Sequence, residues 1–145
     1  MSARTLQTAA EQVAHAVSGR PEILAAYIFG SLATGKARPD SDVDVAILLD
    51  PDFVRKMPLK YRLDLISDLG HSLETFAVDV VLLHDAPPAL AHNVVTKGKL
   101  VFERSRSARI AFQVGSLNRY MDMEPLHKVQ LQYMKRRYIK DFTNG

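Results

Sequence analysis

Two apolar runs flanking a turn-rich segment constrain this 145-residue chain more than any other feature. The first, Ile23 to Phe29, is the longest apolar run in the chain and stops abruptly at Gly30-Ser31. The second, Val43 to Leu49, is rich in β-branched and aliphatic residues and starts directly after Asp42. Both read as strands. Gly35, Pro39, Asp40 and Ser41 in the segment between them are turn formers, so that segment reads as a connection. Paired strands this apolar require a sheet with a covered face, and the rest of the chain must supply the cover.

The second run opens with aspartates on alternate residues. Side chains alternate faces along a strand, so Asp42 and Asp44 point the same way, about 7 Å apart along the backbone. Taken alone, Asp42 beside Ser41 would be an ordinary turn residue. The pair can grip one hard cation such as Mg2+, which prefers carboxylate oxygens and shares its shell with water and substrate phosphates. Asp79 lies inside another apolar run, Val78 to Leu83, where an unpaired carboxylate is costly to bury and calls for a cation or a donor network. On the same face, Asp79 would be a third ligand.

Gly30 allows a backbone to approach a phosphate without a Cβ in the way, and Ser31 adds a hydroxyl and an N–H. Lys36 and Arg38 in the connection are candidates to neutralise β and γ phosphates. Gly30 to Lys36 has the GxxxxGK spacing of a P-loop, but Ala37 stands where Ser or Thr must reach the metal, which sets that reading aside. His15, His71, His84, His92 and His127 are scattered without ligand spacing and read as structural or surface residues. The absence of cysteine excludes disulfides, thiolate metal sites and a cysteine nucleophile, and fits a cytoplasmic protein. No stretch has the length and apolarity of a membrane span.

The remaining patterns are mostly helical. Leu6, Ala10, Val13 and Val17 share one helix face, and Ser18-Gly19-Arg20-Pro21 ends that helix. Asp50-Pro51-Asp52 closes the second strand, and Leu59, Leu63, Ile66, Leu69 and Leu73 predict a helix of about four turns packed on the sheet. A short helix over Ala89 to Thr96 stops at Gly98, and Lys99 to Phe102 forms a small edge strand. Ser105 then opens a helix striped by Ile110, Val114, Leu117 and Met121, and Leu126 to Ile139 predicts a last helix carrying Lys135-Arg136-Arg137. The order is that of an α/β (α+β) fold, a small mixed sheet with helices on one face. One domain is expected over residues 1–145, with a core at about 6–103 and a helical tail at about 104–141.

Hydrophobic residues make up 47% and charged residues 24%, a balance that excludes a disordered or fibrous chain. The net charge of +3 is unevenly spread: residues 104–145 carry nine Lys or Arg and three acids, leaving the first 103 residues net negative. A basic tail suggests an acidic partner, protein or nucleic acid, or simply a solvated helix face. Nucleic acid is possible but not favoured.

Gly30-Ser31, ten residues, then Asp42-Val43-Asp44 resembles the GS-x10-DxD signature of DNA polymerase β-like nucleotidyltransferases. With Asp79 in VDVVLL and the segment NVVTKGKLVFE, the chain is more closely similar to the minimal nucleotidyltransferases (MNT), the antitoxin half of HEPN/MNT toxin–antitoxin pairs. The resemblance implies ATP as donor and two Mg2+ ions, with Asp42 and Asp44 holding both, Asp79 holding the catalytic ion and helping deprotonate the acceptor, and Gly30-Ser31 binding the triphosphate. It implies that AMP is transferred to a tyrosine of a HEPN RNase toxin held in a hetero-oligomer, silencing it. A small-molecule nucleotidyltransferase of the antibiotic-modifying type shares the motif but usually needs a further acceptor domain. An antitoxin acting by contact alone is the third reading.

Overall fold

The computed structural model describes residues 5–38 and 41–123. The elements are α1 (Leu6–Ser18), β1 (Ile23–Phe29), β2 (Val43–Leu49), α2 (Pro51–Arg55), α3 (Tyr61–Leu73), β3 (Val78–Leu82), a 3-10 turn (Leu83–Asp85), α4 (Pro88–Lys97), β4 (Lys99–Glu103) and α5 (Arg106–Asp122). The four strands form one mixed sheet in the order β3-β2-β1-β4. β1 is antiparallel to β2 and to β4, whereas β2 and β3 are parallel. The expected helix from Leu126 to Ile139, with its Lys135-Arg136-Arg137 cluster, lies outside the described residues.

Helices cover both faces of the sheet, not one. On the first face, Val13 and Val17 of α1 and Leu65, Leu69 and Leu73 of α3 share a cluster with Ile28, Val45 and Ile47. On the second, Tyr27, Phe29, Ala46 and Leu48 cluster with Val94 of α4, and Phe112 of α5 packs against them. The central position of β1 and β2 explains their unbroken apolar character: a strand buried on both sides has no reason to alternate with polar residues. A register irregularity between Ile23 and Ala25 sets Leu24 and Ala25 together on the second face.

Three elements depart from the sequence expectation. In α3 the buried row is Tyr61, Leu65, Leu69 and Leu73, while Leu63 is 65% exposed and Leu59, ahead of the helix, is fully exposed. Tyr61 displaces the expected leucines because its ring fills the core while its hydroxyl donates to Glu22 Oε2 at 2.6 Å. In α5 the predicted stripe faces solvent: Ile110, Val114, Leu117 and Met121 are all exposed. That helix instead turns Phe112, Ser116 and Tyr120 inward, with Tyr120 stacked on His92 of α4 at 4.0 Å between ring centroids. Asp50-Pro51-Asp52 does end β2, but it also starts α2, because the Asp50 side chain accepts from Asp52 N–H as an N-cap and Pro51 suits the first helical turn.

Candidate active site

The site expected from the sequence falls where β1 ends and β2 begins. These strands are antiparallel, with Phe29 opposite Asp44, so Gly30 is brought against the start of β2. Gly30 has φ of +76°, a left-handed conformation that glycine adopts without penalty. A Cβ at this position would overlap Asp44 Oδ2 and lie 3.2 Å from its Cγ. The Asp44 carboxylate therefore occupies the space that any other residue at position 30 would fill. Glycine is needed here to admit a carboxylate of the same chain as well as any phosphate.

From Gly30 the chain makes a single α-turn, with Thr34 N–H donating to the Gly30 carbonyl at 3.2 Å and the Thr34 hydroxyl reaching the Gly30 and Ser31 carbonyls. Lys36 N–H closes the loop onto the Ser31 carbonyl at 2.9 Å. Ser31 is buried, whereas the Lys36 and Arg38 side chains are exposed. Arg38 N–H donates to Ser41 Oγ at 2.8 Å, which fixes the approach to Asp42.

Asp44 is buried, at 8% exposure, and Asp42 is exposed just ahead of β2. β3 runs parallel to β2 with Asp79 in direct register with Asp44. Val80 and Leu82 of β3 belong to the first face, and Val81 packs against the second. By alternation, Asp79 shares with Asp44 the second face. The topology thus brings Gly30, Asp42, Asp44 and Asp79 to one end of the sheet.

The environment of Asp79 differs from the sequence expectation. It is not buried among valines, because β3 is an edge strand and the Asp79 side chain is half-exposed. Its charge is met by Arg62 of α3, whose Nη2 lies 3.0 Å from Oδ1 while its Nε donates to the Val80 carbonyl at 2.8 Å. Among the described residues, no three acidic or histidine side chains are gathered closely enough to hold an ion. Arg62 was missed by sequence reasoning. Its one signal was a basic residue in the first turn of a helix, where the macrodipole disfavours positive charge.

The family described as Polymerase beta, Nucleotidyltransferase matches residues 11–107. The chain belongs to this nucleotidyltransferase family. The matched span contains Gly30, Ser31, Asp42, Asp44 and Asp79, and so the whole of the sheet that carries them. A nucleotidyltransferase relative, the protein adenylyltransferase MntA of Shewanella oneidensis, is 29% identical over 104 residues, covering 72% of this chain and 70% of the relative. A chain from a solved toxin–antitoxin complex with AMP-PNP matches with a TM-score of 0.65 at 25% identity, over 92% of this chain and 98% of its own length. A chain from the complex of the tri-AMPylated Shewanella oneidensis HEPN toxin with its MNT antitoxin shares the nucleotidyltransferase fold, with a TM-score of 0.61 at 24% identity over 94% and 98% of the two chains. No helix among the described residues is long and apolar enough to cross a membrane.

Proposed function

We propose that this single-domain chain is an antitoxin that transfers AMP from ATP to a tyrosine of a cognate HEPN RNase toxin in the cytoplasm. The observation that carries this reading is the interlock of Gly30 and Asp44, which joins the turn after β1 to the strand that bears the carboxylate. The likeness to a protein adenylyltransferase and to toxin–antitoxin structures supplies the acceptor class.

In this reading Gly30 and Ser31 receive the triphosphate, and Lys36 and Arg38 face its charge. Two carboxylates on alternate positions, one of them seated in a glycine-made space, suit a hard divalent cation. Asp42 and Asp44 would hold Mg2+, and Asp79 would join them. Bound there, Mg2+ would supply charge stabilisation to the attacking and leaving oxygens of an in-line displacement. The phenol oxygen forms a bond to the α-phosphorus as the bond to the bridging oxygen breaks, releasing pyrophosphate. The phenol proton, with an ordinary pKa of about 10, needs an acceptor at neutral pH, a role this reading gives to Asp79.

The exposed apolar stripe of α5 favours a protein acceptor over an antibiotic-sized one, since a contiguous apolar helix face is what a protein partner covers. The test is incubation with its cognate HEPN toxin, ATP and Mg2+, followed by intact-mass measurement. AMP mass should appear on a toxin tyrosine and disappear with Asp42→Asn and with Asp44→Asn. Unchanged labelling in both variants would sink the proposal. Full neutralisation of the toxin in cells by the Asp42→Asn, Asp44→Asn double variant, with the toxin left unlabelled, would instead establish inhibition by contact.

A further inference from the structure

Arg62 is in an unusual position for a cation. It stands in the first turn of α3, where unsatisfied backbone N–H groups already make the local field positive. One edge of its guanidinium bonds consecutive residues of one strand, Nε the Val80 carbonyl and Nη2 Asp79 Oδ1. The bond to Val80 ties the arginine to the backbone of β3, an edge strand, and so to the strand that carries Asp79.

Asp79 and Asp44 are register neighbours, yet no three-carboxylate cluster is formed among the described residues. The third carboxylate is engaged at the sheet edge. We infer that Arg62 is a latch on Asp79, and that a divalent cation entering at Asp42 and Asp44 competes with Arg62 for this carboxylate. The inference rests on the proposed role of Asp42, Asp44 and Asp79 as a cation site. Arg62 acts through Asp79 and is a positioning residue. Its effect is to keep the third ligand away from the other two until an ion displaces it, so the complete acidic cluster never stands unpaired and self-repelling.

The probe is Mn2+, whose free concentration is read directly by its paramagnetic resonance signal in the presence of the full chain. Removing the competitor with Arg62→Met should tighten Mn2+ binding about two- to fivefold, the scale of a half-exposed ion pair. The same substitution in an Asp79→Asn background should change nothing. That second arm separates a latch from general repulsion, because a cation repelled through space by Arg62 would still bind more tightly without it. Arg62→Lys, which keeps charge but loses the fork, should fall between wild type and Arg62→Met.

A readout on the unaltered protein guards against a misfolded variant: the Arg62 Nε–H resonance should shift on adding Mg2+, and should not shift in Asp79→Asn. Wild-type Mn2+ binding that depends on Asp42 and Asp44 but is unchanged or weakened by Arg62→Met overturns the latch and leaves the cation site standing. Absence of Mn2+ binding in the wild type, with and without ATP, overturns both.

Discussion

At position 30 the conformation and the neighbour independently require the same residue. Gly30→Ala would force a left-handed backbone on a residue with a side chain and drive its Cβ into the Asp44 carboxylate. Backbone strain of this kind costs about 1–3 kcal/mol, and thermal unfolding should show it. Displacing Asp44 should also cost AMP transfer on the order of 100-fold, the usual penalty for a reacting group misplaced by about 1 Å. A variant that is destabilised but fully active would show that Asp44 tolerates the shift. The sequence made Gly30, Asp42 and Asp44 legible as neighbours because spacing and residue alternation are local properties. Asp79 was legible as an anomaly, but for the wrong reason. A charged residue between valines suggested burial, whereas an edge strand leaves it half-exposed against Arg62, a partner that only the packing of α3 along β3 brings into contact.

The helices separate what periodicity can show from what it cannot. Both α3 and α5 were correctly read as helices, since apolar residues recur at helical spacing in each, but spacing does not say which of two possible faces is buried. In α3, Tyr61 takes the core position and Leu59 and Leu63 are left outside, Leu63 lining with Phe76 a groove of about 690 Å3 that includes none of the site residues. In α5, the small Ser116 and the rings of Phe112 and Tyr120 lie inward, and the aliphatic row is left to solvent. The double variant Val114→Glu, Leu117→Glu therefore probes partner binding without disturbing the core. Exposed substitutions of this kind change stability by about 0.5 kcal/mol or less, so the melting temperature should hold while co-purification with the HEPN partner falls. Undiminished co-purification would place the partner on another surface.

For the molecule as a whole, alkaline pH probes the burial of its tyrosines. Burial, followed by the hydrogen bond to the Glu22 carboxylate, pushes the Tyr61 phenol well above its usual range, and burial raises Tyr27 as well. A folded-state pKa above the unfolded value means that the stabilisation is complete below about pH 10 and is lost as pH rises beyond it. Denaturation midpoints should fall above that point, and Tyr61→Phe should flatten the fall while costing about 1.5–3 kcal/mol at neutral pH for the lost hydrogen bond to a carboxylate. An identical alkaline limb in wild type and variant would assign the loss to other groups. The mixed sheet was legible at this scale, because strands and helices follow each other in a readable order. The second helical layer was not, because an unbroken apolar strand looks the same with one buried face or two until its neighbours are known.

The parallel pairing of β2 with β3 also sets an order in time. Gly30 and Asp44 meet through a short connection between antiparallel strands, so little chain has to be closed to bring them together. Asp79 must wait for α2, α3 and the long crossover to be synthesised and folded back, a closure whose entropic cost grows with the length of chain enclosed. A nascent chain thus carries the turn after β1, Asp42 and Asp44 well before it carries Asp79, and Arg62, which engages Asp79, emerges from the ribosome ahead of it.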